Sequence, residues 1–291
     1  MDVLQLLVSG LANGCVYGLI ALGFVHIYKA TEQVNFAQGD MMMLGAYITL
    51  GFHNAQFMGL PFWLSVPMAV VLMGVFGYLL DMFVLRRMFG QPQIAVVILT
   101  IALGFVLRFF AGLIWGHEPL ALETPFAGQY LSFGGITLGV DGVMIIAVTV
   151  LLTVALYFFF GRTRLGIAMQ ASSQNQLAAY YMGIPVKRIN SLIWALAGAV
   201  ATIAGVLFAS KGTIDPSIGL LGIKAFAAAV IGGFGSLPGA LLGGLIVGVM
   251  EPFASRYMAP TYAPIMPYLL LFLILVFRPH GILAQVHSKK V

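Results

Sequence analysis

Long hydrophobic blocks separated by short polar intervals run through the whole of this 291-residue chain. A helix needs about 20 apolar residues to cross a bilayer, and fewer where it is broken inside the membrane. The pattern therefore predicts about eight or nine transmembrane helices, with broken or re-entrant segments where a block is short. The predicted blocks are 4–28, 41–57, 61–85, 94–115, 142–160, 191–210, 222–233, 239–252 and 264–277.

The composition agrees with a membrane protein and excludes a soluble one. Hydrophobic residues make up 61% of the chain and charged residues 8%, whereas soluble domains carry about 25% charged residues. No polar interval is long enough for a soluble domain, so the sequence predicts a single all-α, multi-pass transmembrane domain over residues 1–291. The single cysteine, Cys15, excludes a disulfide framework and is interpreted as a packing residue.

The basic residues indicate how the chain is oriented in the membrane. If the crossings alternate, these residues collect on one side, and the positive-inside rule places that side in the cytoplasm together with the C-terminus. They are Arg86, Arg87, Arg162, Arg164, Lys187, Arg188, Arg278, Lys289 and Lys290.

The interval 116–141 then faces the periplasm. Apolar and polar residues alternate over 131–138 around a Gly-Gly pair, which predicts a small periplasmic β-hairpin. Such a hairpin either caps the outer mouth of the protein or docks a second protein.

One polar stretch, 161–190, is the longest interval between hydrophobic blocks. Within it, Ser173 and Gln176 have the spacing of a capping box, in which the two side chains satisfy backbone N–H groups at the start of a helix. Gly183 follows as a helix stop, and Pro185 comes two residues later. The pattern predicts one short helix over residues 174–182.

Two polar intervals resemble each other and suggest an internal repeat. In each, a hydrophobic block runs into a break that contains a charge and helix-breaking residues, at 29–40 and at 211–222, and a further helix follows. The orientation above makes the chain enter the two breaks from opposite sides. The sequence therefore predicts an inverted repeat with broken helices, which places a transport pathway near the pseudo-symmetry axis.

Polar residues at membrane depth are the candidates for that pathway, because ionisable groups there are costly and tend to mark function. Asp40 and Lys224 occupy comparable places in the two repeats, so a charge pair across the axis is a hypothesis. The alternative is that each polar side chain reaches water at an interface. The candidate lining residues are Asn13, Tyr17, Asn35, Gln38, Asp40 and Lys224.

Three further charged residues are interpreted more plainly. Arg108 and Arg256 fall near the ends of predicted spans, where long basic side chains reach the interface. Glu251 precedes a proline, and a helix end at this point is an equal alternative to a functional role.

Glycines recur every four residues on two predicted helices, at Gly10, Gly14 and Gly18 and again from Gly235 to Gly243. Small residues at this spacing let helix backbones approach closely in lipid. We interpret these faces as tight packing; the alternative is that they line a narrow passage.

The sequence contains no GxxxxGK[ST] motif, so it predicts no P-loop nucleotide site in this chain. If transport is driven by ATP, the ATPase must be a separate polypeptide, and 161–190 is the longest interval that offers it a contact. The alternative is that this stretch is an amphipathic connector lying on the membrane surface. The histidines show no ligand spacing, and no nucleophile–base arrangement indicates an enzyme.

Four passages together are similar to the permeases of branched-chain amino-acid ABC importers, and to the shorter of their two paired types. The glycine-rich passage alone would be weak, but the four together are specific and reach from the first block to the end of the chain. They are NFAQGDMMMLGAY from Asn35, RTRLGIAMQASSQNQLAAYYMGIPVKRIN from Arg162, GIKAFAAAVIGGFGSLPGALLGGLIVG from Gly222 and RPHGIL from Arg278.

The resemblance implies partners and roles. It implies a heterodimer with a second permease, two cytoplasmic ATPases that hold ATP and Mg, a periplasmic binding protein, and no cofactor bound by this chain. It also implies that the helix before Gly183 docks the ATPase, although the acidic residue that several relatives carry near Ser173 is absent here. The implied coupling residues are Ser173, Gln174, Asn175, Gln176, Gly183, Ile184, Lys187 and Arg188.

The substrate remains open at this level. Branched-chain amino acids are the first expectation, while relatives in the same family carry urea, short amides or aromatic acids. An ion-coupled secondary transporter that uses Asp40 and Lys224 is an alternative of another class, and a passive channel is a third.

Overall fold

The computed structural model describes residues 3–283 except 56, 89–90, 134–135 and 259, so Lys289 and Lys290 lie outside the described residues. Four short strands accompany the helices: β1 (Leu120–Ala121), β2 (Tyr130–Phe133), β3 (Ile136–Gly139) and β4 (Thr213–Ile214). The α-helices are α1 (Val3–Thr31), α2 (Gln38–His53), α3 (Phe62–Phe83), α4 (Gln93–Trp115), α5 (Val140–Arg162), α6 (Arg164–Gln174), α7 (Gln176–Tyr181), α8 (Val186–Ala209), α9 (Leu221–Gly232), α10 (Leu237–Tyr257) and α11 (Met266–Phe277).

Among the described residues, seven helical segments are long and apolar enough to cross a membrane, and two shorter apolar helices complete the set. The shorter ones are α2, with 16 residues, and α9, with 12. At 1.5 Å per residue, each is too short to cross a hydrocarbon core of about 30 Å. The expected eight or nine crossings therefore correspond to seven full crossings and two partial ones.

Helices α1–α4 and α8–α11 form two halves with matching contacts. α1 lies antiparallel to α10, and α3 lies antiparallel to α8; likewise α2 packs on α4 as α9 packs on α11. The first helix of each half thus packs against the third helix of the other half. This pattern confirms the inverted repeat, with α5, α6 and α7 inserted between the halves.

The two partial helices point in opposite directions and begin side by side. α2 runs parallel to α8, while α9 runs antiparallel to α10, so their N-termini face each other. A Cβ atom on Gly39 would lie 2.7 Å from the Gly222 Cα and would overlap the Gly219 carbonyl oxygen. Only glycines allow this approach, because any side chain would fill the gap between the two backbones. Both breaks predicted from the sequence therefore meet inside the fold.

The α1–α10 contact uses the predicted glycine stripe. A Cβ atom on Gly14 would lie 2.7 Å from the Leu245 Cα, and one on Gly248 would overlap the backbone N and Cα of Gly14. Gly243 in turn faces the Ala228 carbonyl of α9. In lipid, where burial of apolar surface does not drive helices together, such close backbone packing supplies the association. The structure confirms tight packing at Gly10, Gly14, Gly18, Gly239 and Gly243, whereas Gly235 precedes α10 and has nothing within 4 Å of its Cβ position.

The small strands lie at the end of the molecule opposite the 161–190 stretch. β2 and β3 form the predicted antiparallel hairpin, with Tyr130 opposite Gly139. β1 and β4 pair antiparallel, with Leu120 opposite Ile214, and so join the loop after α4 to the loop after α8. We call this end the hairpin side and the end with Arg86, α6 and α7 the basic side.

The glycine contact at Gly248 gives the first testable prediction. Gly248→Ala places a methyl group on the Gly14 backbone, which cannot give way without separating α1 from α10, and we expect a loss of about 1–3 kcal/mol in stability. Thermal unfolding of the detergent-purified protein measures it. Gly161→Ala is the matched control, because nothing lies within 4 Å of its Cβ position; equal behaviour of the two variants would contradict the packing argument.

Candidate functional site

The 161–190 stretch forms two helices that meet at Asn175, and the predicted single helix over 174–182 is therefore wrong. Asn175 is extended, with φ −157°, and its side chain accepts a hydrogen bond from the Ala178 N–H over 2.9 Å. This cap starts α7 and at the same point ends α6. The predicted capping box is also wrong, because the Ser173 hydroxyl donates to the Gln170 carbonyl within α6.

The predicted stop at Gly183 is confirmed. Gly183 has φ +84°, a left-handed conformation that favours glycine, and it ends α7 before Pro185 leads into α8. The Ile184 N–H donates to the Ala179 carbonyl, while the Ile184 side chain packs against the core. The last turn of the stretch is thus fixed in direction relative to α8.

The outer face of α7 is apolar and exposed. Tyr181 is 82% exposed and Met182 83% exposed, and Leu177 and Tyr180 lie beside them. A large apolar patch on a surface that faces water usually marks a protein contact. The face therefore has the character of a docking surface.

A groove of about 880 Å³ lies between α7, the start of α8 and the 3₁₀ turn after α3. Its charged lining residues are all basic: Arg86, Lys187 and Arg188. Asn190, which is 1% exposed, also lines it, and neither polar atom of the Asn190 side chain has a hydrogen-bond partner within the described residues. The groove therefore offers positive charge and, at Asn190, a side-chain amide that can still form hydrogen bonds.

Arg86 also ties α3 to α8. Its guanidinium donates to the Ser191 hydroxyl over 2.8 Å and to the Lys187 carbonyl over 3.2 Å. The Ser191 hydroxyl donates to the Asp81 carboxylate over 2.6 Å. Asp81 is 1% exposed, so this network neutralises a buried charge at the basic side. None of these contacts was visible in the sequence, because the two segments lie about 100 residues apart.

Two polar side chains are fully buried where the first break leads into α2. Asn35 and Gln38 are 0% exposed. The Asn35 side chain accepts from the Ala37 N–H over 3.1 Å, and the Gln38 amide donates to the Ala197 carbonyl of α8 over 3.2 Å. These bonds satisfy the polar groups that a broken helix leaves open inside a membrane. In this structure the two side chains are structural supports enclosed by the fold.

Asp40 pairs with Arg108, which corrects two expectations. Arg108 Nε donates to Asp40 Oδ1 over 2.5 Å, and a second guanidinium nitrogen donates to Oδ2 over 3.2 Å. The Asp40 side chain is 2% exposed and that of Arg108 is 23% exposed. The hypothesis of an Asp40–Lys224 pair is therefore wrong, and Arg108 does not reach toward the interface. Its bidentate geometry gives the strong form of such a pair.

Lys224 pairs with Glu251 instead. The Lys224 ammonium donates to Glu251 Oε1 over 2.6 Å, and the Tyr17 hydroxyl donates to Oε2 over 2.7 Å. α10 continues through Pro252 to Tyr257, so the alternative of a helix end at Glu251 is wrong. One carboxylate thus joins α1, α9 and α10 inside the membrane.

Asn13 and Tyr17 line a cavity on the hairpin side. It measures about 370 Å³ and adjoins a second cavity of about 440 Å³ through Ser9 and Lys211. The Lys211 ammonium donates to Asn13 over 3.2 Å. Desolvation lowers the pKa of Lys211 from its ordinary value, and the nearby Asp141 carboxylate opposes that shift. Of the six candidate lining residues, these two line this cavity.

Arg108 and Glu251 were not among the candidate lining residues, although their ionisable side chains and their distance from the helix ends could be read from the sequence. Arg108 lies seven residues before the end of α4 and Glu251 six before the end of α10. At 1.5 Å per residue, both lie well inside their helices. Ionisable residues at such depth call for a partner of opposite charge, and counting depth from the helix ends would have found both. Within the part of the chain that the structure describes, no group of His, Cys, Asp or Glu is arranged to hold a metal ion.

Comparisons with known proteins agree with this architecture. Residues 6–276 match the family described as "Branched-chain amino acid transport system / permease component". The chain is 34% identical to the high-affinity branched-chain amino acid transport system permease protein BraD of Pseudomonas aeruginosa, over 99% of this chain and 98% of BraD. It is 33% identical to the corresponding protein LivH of Escherichia coli, over 99% and 97% of the two chains.

One solved structure shares the fold. The structure of PsaBC from Streptococcus pneumoniae in complex with Fab superposes with a TM-score of 0.50, at 14% sequence identity, over 94% of this chain and 91% of the PsaBC chain. At this identity the likeness concerns the fold alone.

The two ion pairs give the second prediction. Double-mutant cycles for Asp40→Asn with Arg108→Gln, and for Lys224→Gln with Glu251→Gln, should each show a coupling energy of about 1 kcal/mol or more, because each pair is in direct contact. The cycle for Asp40→Asn with Lys224→Gln is the matched control and should be additive within about 0.5 kcal/mol. Unfolding in detergent gives the energies. Strong coupling in the control cycle would restore the pair hypothesised from the sequence.

Proposed function

The chain belongs to the family of permease components of branched-chain amino acid transport systems, and we propose that it is the membrane subunit of an ATP-driven importer of branched-chain amino acids. Near full-length similarity to BraD and LivH carries the proposal. The fold supports it, since two inverted halves with broken helices are the architecture of alternating access. The protein is a multi-pass membrane protein of the bacterial inner membrane and a transport subunit.

The proposed partners follow from what the chain lacks. The sequence has no P-loop, so ATP and Mg would be held by two separate ATPase subunits on the basic side, which is then the cytoplasmic side. A second permease would complete the membrane part, and a periplasmic binding protein would deliver the amino acid to the hairpin side. Membrane lipid covers the exposed apolar faces of α3, α4, α5 and α11.

The ATPase would dock on α7. The exposed Tyr181 and Met182 supply an apolar contact, and the groove beside them supplies the positive charge of Lys187 and Arg188. Because acidic side chains are absent from the described lining of this groove, the complementary surface of the ATPase would be apolar with carboxylates at its edge. The missing acidic residue near Ser173 is thereby compensated by carboxylates on the other partner.

The transport pathway would lead from the hairpin-side cavity toward the junction of the two partial helices. Asn13 and Tyr17 mark its entrance, and Tyr17 reaches the Glu251–Lys224 pair. Deeper in, Asn35, Gln38 and Asp40 are enclosed. A pathway through these residues would be closed at this depth, and rocking of the two halves would open it.

An ion-coupled transporter is the alternative function that a specific observation favours, since the chain holds charged residues at membrane depth. However, Asp40 and Lys224 are each engaged by an opposite charge, which leaves neither available as a lone coupling site. The related alternatives of urea, short amides or aromatic acids as substrates differ only in the ligand that the binding protein presents.

The third prediction separates these functions. Proteoliposomes that contain this chain, its paired permease and the two ATPases should accumulate leucine only with ATP and loaded binding protein. Vesicles that contain this chain alone should show no uptake driven by a proton or sodium gradient. Gradient-driven uptake by the lone chain would favour the secondary transporter, and ATP-driven uptake of urea or an amide in place of leucine would change the substrate.

The fourth prediction tests the docking face. Tyr181→Asp introduces a charge at the centre of the apolar face, and we expect the ATPase to lose about 2 kcal/mol or more of binding energy, roughly 30-fold in affinity. Co-purification of the ATPase with the tagged permease measures it. Tyr130→Asp is the matched control, since Tyr130 is 73% exposed on the hairpin side. Loss of the ATPase in the Tyr130 variant alone would reverse the proposed orientation.

A further inference from the structure

Gln176, the first residue of α7, is half-buried and lines one end of the groove beside the exposed face. Its side-chain Nε2 donates to the carbonyl oxygen of Ala30 over 2.5 Å. Ala30 belongs to the last turn of α1, 146 residues earlier in the chain, and is 2% exposed. Among the contacts between this stretch and the membrane part, this hydrogen bond joins the start of α7 to a defined backbone atom of α1.

The Ala30 carbonyl is one of the groups that a helix end leaves without an intrahelical partner. Two carbonyls just before Ala30 accept hydrogen bonds from within the same turn. The Thr31 hydroxyl donates to the Ile27 carbonyl, and the Glu32 N–H donates to the Tyr28 carbonyl. Glu32 itself has φ +54°, which is unusual for a residue with a side chain and holds the chain in a sharp exit from α1. Gln176 thus caps α1 from another segment.

This cap lies at the entrance to the first break. The chain continues from Glu32 to Phe36, whose N–H donates to the Thr100 hydroxyl of α4 over 3.2 Å. Four residues later Asp40 meets Arg108 and the junction of the partial helices. A displacement of α7 would therefore act on the α1 end and, through the short break, on α2. Contiguous hydrogen-bonded contacts of this kind can carry coupling between distant sites.

We propose that Gln176 is a positioning residue that links the ATPase-docking helix to the broken helix α2 through the Ala30 carbonyl. The inference rests on the proposed function, because it assumes that α7 moves with an ATPase. Gln176 itself acts as a mechanical link, whereas the exposed Tyr181 and Met182 make the contact with the partner.

The test compares side chains with and without a donor at position 176 in the full reconstituted complex. Gln176→Leu removes the donor but keeps a similar length, and we expect uptake of leucine per ATP hydrolysed to fall about fivefold, equal to about 1 kcal/mol for one lost hydrogen bond. ATPase co-purification and ATP hydrolysis should remain. Gln176→Lys keeps a donor suited to a helix C-terminus and should retain the wild-type ratio. Gln170→Leu, at an exposed site on α6 outside the implied coupling residues, is the control.

Three outcomes would overturn the inference. Uptake per ATP could be unchanged in Gln176→Leu, the Lys variant could be as poor as the Leu variant, or the loss of uptake could follow a loss of bound ATPase. If Gln176→Leu fails to fold, Gln176→Glu decides, since the ionised carboxylate has almost the same shape but no donor. It should be uncoupled, and full coupling would contradict the link.

Failure of the proposed function would look different. The wild-type complex would then show no ATP-driven uptake, whatever stands at position 176. In that case amide hydrogen exchange of residues 31–35 in the chain still tests the contact. Exchange there should be faster in Gln176→Leu than in the wild type and in Gln170→Leu, and equal rates would overturn the inference.

Discussion

The fold depends on one constraint, that backbone polar groups inside a membrane must find partners within the protein. Two helices are only partial, and a short polar side chain turns the backbone before each of them. Asn35 accepts from the N–H two residues later, and Asp215 does the same with the Ser217 N–H over 2.7 Å. The partial helices that follow then meet at Gly39 and Gly222, where close backbone packing excludes both lipid and water. The junction is therefore closed by short polar side chains and by the absence of large ones.

The charges near this junction follow the same constraint. Asp40, in the first turn of α2, pairs with Arg108, and Lys224, in the first turn of α9, pairs with Glu251. A carboxylate suits the positive end of a helix dipole, whereas an ammonium there does not, which explains why Glu251 with Tyr17 is needed beside Lys224. Because removal of one partner leaves a buried charge uncompensated, each pair binds a partial helix to a full one.

On the basic side, the α6–α7 stretch is held at its middle and just beyond its end. Gln176 fastens its middle to α1, and the Arg86 contacts to Lys187 and Ser191 fasten the start of α8 to α3. What remains free is the outer face of α7, with its apolar surface and basic groove. In such an arrangement, a partner that displaces α7 would also displace the membrane helices to which the stretch is bonded.

The sequence by itself determined the class, the spans, the two breaks, the inverted repeat, the hairpin and the Gly183 stop, because hydrophobic length and helix-breaking residues act locally. Only the tertiary structure decided the partners of the charges and the cap of α7. Asp40 and Lys224 looked like partners because the repeat places them symmetrically, yet the pairing depends on which full helix packs beside each partial one. Asn175 displaced Ser173 and Gln176 as the cap because Gln176 is used by Ala30, a contact across 146 residues that no local pattern contains.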